Sequence, residues 1–99
     1  MSLLDQGKML LKAKAVQKEL KNTEVEAASN NGWVKVVFNC EMKIKSLDIA
    51  QDALNPENKH ELEKVLQNTI AEALSRAQAV AAEKTKEAMK DLNLNIPGL

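Results

Sequence analysis

Between Pro56 and Pro97 the chain contains neither glycine nor proline. Across that stretch Leu66, Ile70, Ala73, Ala77, Ala81, Thr85, Ala88 and Leu92 recur at spacings of three and four, and Leu62, Val65, Leu74, Val80 and Met89 widen the stripe. That period describes one face of an α-helix. Asn55 is a good N-cap, Pro56 suits the first helical position, and Glu57, Glu61 and Glu63 complement the positive end of the dipole. A helix over residues 56–92 is about 55 Å long at 1.5 Å per residue, whereas a globule of about 100 residues has a radius of gyration of about 13 Å. The helix therefore overhangs its own domain, or breaks. If it overhangs, its apolar side needs another surface. The alanines at 71, 73, 77, 79, 81 and 82 suit close approach by another backbone.

The rest of the chain is too short for a second domain. Of its 99 residues 44% are hydrophobic, but Trp33 and Phe38 are the only aromatics. A core built from aliphatic residues is thin at this size, and a partner chain would help to fill it. The opening segment "SLLDQGKMLLKAKAVQKELKN" predicts a helix over residues 3–22, with Ser2 and Asp5 as a capping box. Met9, Ala13, Val16 and Leu20 form one apolar face of it, and Leu4, Leu11 and Ala15 form a second stripe on roughly the opposite side. Two stripes imply two packing surfaces, the chain's own sheet and a second subunit.

Residues 24–50 read as three strands, at about 24–28, 33–39 and 42–50. Val34, Val36 and Phe38 alternate with Lys35, Val37 and Asn39. "SNNG" (Ser29 to Gly32) is a turn, and Asn39-Cys40-Glu41 is a second reversal. Leu47 follows Ile44 by three residues rather than two, which predicts a bulge near Lys45 and Ser46. The expected fold is α+β: a helix, a three-stranded antiparallel β-meander and a long C-terminal helix, in a single domain over 1–99. Pro97 and Gly98 stop the helix, and residues 93–99 are expected to form a mobile tail.

Formal net charge is zero, which argues against a polycation that binds nucleic acid by bulk charge. The balance is uneven, however. Residues 1–22 carry five lysines against Asp5 and Glu19, a surplus of three. Lys8, Lys12, Lys14, Lys18 and Lys21 form either an ordinary solvated face or a face that contacts phosphate or an acidic membrane. Lys84, Lys86 and Lys90 form a second cluster, within pairing reach of Glu83, Glu87 and Asp91.

Catalytic constellations are missing from the sequence. His60 is the sole histidine, and "HELEK" lacks the second histidine of a zinc-protease helix. Cys40 is the sole cysteine, so neither a zinc site nor an intrachain disulfide can be assembled from cysteines. No glycine-rich phosphate loop is present. The reading is a non-enzyme with no metal, cofactor or small-molecule substrate. No apolar run reaches the length of a membrane span, and Asp5, Lys8 and Lys12 interrupt any signal-peptide core. A cytoplasmic protein that does not engage membranes is the expectation.

In order along the chain, "GWVKVVFN", "IKSLDI", "HELEKVLQNTIAEAL" and "IPGL" resemble the YbaB/EbfC family of bacterial nucleoid-associated proteins. The resemblance covers nearly the whole chain and marks a divergent member, with Asn39-Cys40 where the family's hairpin has Asn-Gly and Ala50-Gln51 where it has Asp-Pro. It implies a homodimer joined through the sheets, with helices projecting as arms, that binds duplex DNA in the nucleoid with little sequence preference. The dimer face expected on the sheet comprises Trp33, Val34, Val36, Phe38, Ile44 and Leu47. The DNA-binding residues expected from charge are Lys8, Lys12, Lys14, Lys18, Lys84, Lys86 and Lys90. The alternative is a homodimeric protein-interaction scaffold with no nucleic-acid role. The neutral total charge and the acidic long helix favour that alternative.

Overall fold

A computed structural model describes residues 3–91. Helix α1 (Leu3–Asn22) leads into strands β1 (Glu24–Ala28), β2 (Val34–Asn39) and β3 (Ile44–Ile49). Two single 3-10 turns, Gln51–Ala53 and Pro56–Asn58, precede helix α2 (Lys59–Asp91). The N-cap at Asn55 forms as its residue type dictates, its side-chain oxygen accepting from the Glu57 N–H at 3.1 Å. Proline follows at the first position, and the opening turn is 3-10 rather than α. α2 then runs unbroken for 33 residues. Leu92 and the expected tail lie outside the described residues.

The sheet is antiparallel in the order β1-β2-β3. Its first turn is held by Ser29, whose hydroxyl donates to the Asn31 side chain and accepts from the Val34 N–H. Gly32 sits there at φ 76°, where a side chain would be strained. Val37 pairs with Ser46 and Phe38 with Ile44, so Lys45 is the extra residue of a bulge, where the phase slip had placed it. β3 begins at Ile44 rather than Met42, because Met42 adopts φ 65° inside the hairpin turn. The turn is closed by the Met42 N–H on the Asn39 carbonyl, with a left-handed residue at its end.

α2 lies chiefly across β1 and β2. Ala73 and Ala77 are fully buried against Ala27, Val34, Val36 and Phe38, and Leu62, Val65, Leu66, Ile70 and Leu74 close around them. Three residues expected on the dimer face are therefore corrected: Val34, Val36 and Phe38 are consumed in the protomer's own core. Trp33 also packs partly against that core. Ile44 and Leu47 share the apolar face of β2 but lie beyond the reach of α2, and they remain 51% and 47% exposed.

α1 corrects the reading in a second way. Its stripe of Met9, Val16 and Leu20 packs on the outer end of α2, not on the sheet. Only its C-terminal end meets the sheet, through a clasp at the β2–β3 hairpin. The Cys40 N–H donates to the carbonyls of Leu20 and Thr23, each at 3.0 Å. Asn39 is 1% exposed. Its amide donates to the Lys21 carbonyl at 3.2 Å, and its side-chain oxygen accepts from the N–H groups of Glu41 and Lys43. One side chain thus satisfies a helix C-terminus and shapes a turn. The molecule measures 64 × 24 × 14 Å with a radius of gyration of 18.6 Å, well above the globular value of about 13 Å.

Asn39→Ala removes three hydrogen bonds at a buried site and is expected to cost about 2–4 kcal/mol. Gly32→Ala has room for its methyl group but not the backbone freedom. It is expected to cost about 1 kcal/mol. Denaturant midpoints measured at constant slope check both.

Candidate nucleic-acid interface

The outer end of α2 and the antiparallel α1 form a two-helix arm projecting from the sheet. Between them runs an apolar groove lined by Met9, Ala13, Val16, Leu20, Thr85, Ala88 and Met89. The arm is fixed at its base by the clasp and by an ion pair across the helices, Lys84 Nζ to Glu19 Oε1 at 2.7 Å. The hydrogen bond to Glu19 is the main reason the Lys84 ammonium titrates above its usual range. Pairing within α2 had been expected for this lysine, yet its partner lies on the other helix, 65 residues away in sequence.

The expected DNA-binding lysines divide accordingly. Lys8, Lys14 and Lys18 are exposed on α1, and Lys86 and Lys90 are exposed on α2. Among the described residues these five form no ion pair, not even with Glu83 or Glu87 beside them. Lys12 is half-buried at the rim of the groove, and Lys84 is turned inward against Glu19. Lys21, also exposed, joins the set at the base of the arm.

The fold sorts charge in a way that the total conceals. The arm, residues 3–22 and 80–91, carries eight lysines and five carboxylates, a surplus of three positive charges. Residues 23–79, the sheet and α2 up to Ala79, carry six basic side chains and nine carboxylates, a surplus of three negative charges. Net neutrality is thus a basic arm joined to an acidic body.

Among the described residues no group of three or more His, Cys, Asp or Glu side chains is placed to hold a metal ion. No described helix is long and apolar enough to cross a membrane. Cys40 is buried at the base of the arm, and burial pushes its thiol pKa up, with Lys84 pulling weakly the other way. A raised thiol pKa stabilises the fold fully below the unfolded thiol value, and that contribution is lost as pH rises through the folded value. Stability is therefore expected to fall as pH climbs past about 8.5. The loss should be smaller in Cys40→Ala, as thermal melts across the alkaline range would show.

A helix, an antiparallel meander and a long overhanging helix with a basic arm define a small α+β protein built to project charge. Comparison with known proteins agrees. Residues 2–95 match the sequence model of the YbaB/EbfC DNA-binding family. A nucleoid-associated protein of Pelotomaculum thermopropionicum is 37% identical over 84 residues, covering 85% of this chain and 78% of that protein. One from Anaeromyxobacter dehalogenans is 34% identical over 98 residues, covering 98% of this chain and 93% of the relative. The chain belongs to the YbaB/EbfC family. The crystal structure of an uncharacterized protein from Helicobacter pylori shares the fold, with a TM-score of 0.62 at 22% identity, over 94% of this chain and all of that one.

Proposed function

We propose that this protein is a homodimeric, nucleoid-associated protein of the cytoplasm that binds duplex DNA through phosphate contacts with low sequence preference. The separation of a basic arm from an acidic body carries this reading. Phosphate attraction depends on the charge that faces the duplex, not on the total. An acidic body also turns away from the polyanion, which orients the arm toward it. Lys14, Lys18, Lys86 and Lys90 are the principal contacts, with Lys8 near the tip. Lys12 and Lys84 contribute through their field, since each is engaged at the groove.

Dimerisation uses the strip that α2 leaves bare. Ile44 and Leu47 are exposed aliphatic residues beside the open edge of β3, where unpaired backbone groups accept another strand. Trp33 lies at the end of the same sheet. A two-fold axis there would present two arms with about six surplus positive charges, which is +3 from each. Flexible lysines aimed at phosphates carry no base code, so sequence preference is weak.

Affinity for duplex DNA is expected to fall linearly on a log–log scale with salt. Lys14→Glu and Lys18→Glu together should weaken binding of unrelated sequences equally, by tenfold or more, and should lower the salt slope by about 1 per lysine. Titration by fluorescence anisotropy checks this. A dimeric sample that leaves DNA unbound at low salt would exclude the reading and favour a protein-binding scaffold.

A further inference from the structure

Among the described residues, the largest cluster of exposed leucines outside the core and the proposed dimer strip lies at the start of α1. Leu3, Leu4, Leu10 and Leu11 are 88, 73, 59 and 69% exposed. They lie on the side of α1 opposite Met9, Val16 and Leu20, which face α2, so the surface points away from the rest of the arm. Four exposed leucines within three helical turns form a contiguous patch, and soluble proteins keep such patches for contacts.

The arrangement of the patch identifies its occupant. At about 100° per residue, Gly7 lies on its midline. Leu4 and Leu11 stand about 40–60° to one side of that line, and Leu3 and Leu10 stand about as far to the other. The two leucine pairs are a heptad apart, the spacing of a helix–helix seam. A two-fold axis between the two copies of Gly7, perpendicular to the plane of both helices, sets Leu3 beside the second copy's Leu10 and Leu4 beside its Leu11. The patch is therefore complementary to itself. Gly7 has nothing within 4 Å of where a Cβ would stand, so two backbones can approach closely at the centre. Lys14, on the same face of α1, also bears on the sense of packing. Side by side in parallel, Lys14 would face Lys14; in the antiparallel pairing it falls beyond the partner's Leu3.

A bilayer would use the same surface less well. α1 carries no aromatic residue, and a glycine at the middle of the stripe removes apolar area where insertion would be deepest.

We propose that the α1 tips of two protomers from different dimers pack antiparallel through Leu3, Leu4, Leu10 and Leu11 about Gly7, linking dimers arm to arm. The contact rests on the proposed dimer, requires protein alone and does not depend on DNA binding. It is small for a stable interface, so single contacts are weak and gain strength where dimers are already crowded together.

The experiment is sedimentation of the full chain from micromolar to millimolar concentration, with Leu4→Gln/Leu11→Gln and Leu47→Gln as variants. The wild type is expected to grow beyond its limiting dimer as concentration rises. Leu4→Gln/Leu11→Gln should stop at the dimer, with unchanged affinity for a short duplex. Leu47→Gln should still associate through its tips. Wild-type mass that reaches the same plateau as Leu4→Gln/Leu11→Gln overturns the proposal, whatever DNA binding shows. So does pelleting of the wild type with anionic phosphatidylserine vesicles without growth in mass, which would assign the patch to membranes. A lower melting temperature of Leu4→Gln/Leu11→Gln with no difference in mass would mean that the chain covers its own patch, and would likewise overturn it.

Discussion

The seating of Ala73 and Ala77 on the sheet governs the rest of the architecture. Two methyl groups, both fully buried against Ala27, Val34, Val36 and Phe38, let α2 approach the strands closely. A helix set that low covers chiefly β1 and β2. Ile44 and Leu47 on β3 are left bare as a direct result. The contact ends at Ala77, so the last turns of α2 must project. Larger residues at 73 and 77 would lift the helix and lose the packing of Leu62, Leu66, Ile70 and Leu74 around it.

The projecting end needs its own partner, and α1 supplies it. A lone amphipathic helix in water is marginal, whereas two that share an apolar seam stabilise each other. Tertiary hydrogen bonds then fix the angle of the pair. Asn39 and the Cys40 N–H hold the C-terminal carbonyls of α1 at the hairpin, and Glu19 meets Lys84 on α2. These links sit at the base, and Lys8, Lys14, Lys18, Lys86 and Lys90 lie further along the arm or on its outer side. Rigid base and charged outer surface together give an arm whose direction is set by the sheet.

Much of this was legible in the residues. The glycine- and proline-free stretch after Pro56 forced a helix longer than the domain. The alternation of Val34, Val36 and Phe38 marked the central strand, and the three-residue step from Ile44 to Leu47 located the bulge. What a single helix would cover was not legible, since Val36 and Leu47 carry the same apolar signal and only the position of α2 distinguishes them. That choice moved Val34, Val36 and Phe38 from the expected dimer face into the core. Nor could periodicity reveal that α1 packs on α2, because a stripe of Met9, Val16 and Leu20 fits a sheet as well as a helix. The Glu19–Lys84 pair joins residues far apart in sequence, and no local pattern announces it. Asn39 read as a turn residue, and its reach to Lys21 follows only from the fold. The sorting of charge into arm and body likewise appears once α1 and the end of α2 lie together.

In the proposed function duplex DNA lies against the arm. Lysine acetylation footprinting tests it directly, by comparing the reactivity of each lysine with and without duplex DNA at low salt. Protection of Lys14, Lys18, Lys86 and Lys90 is expected, with Lys35, Lys45, Lys59 and Lys64 on the acidic body as reactive as before. Protection centred on Lys35 and Lys45, with the arm lysines unchanged, would contradict it.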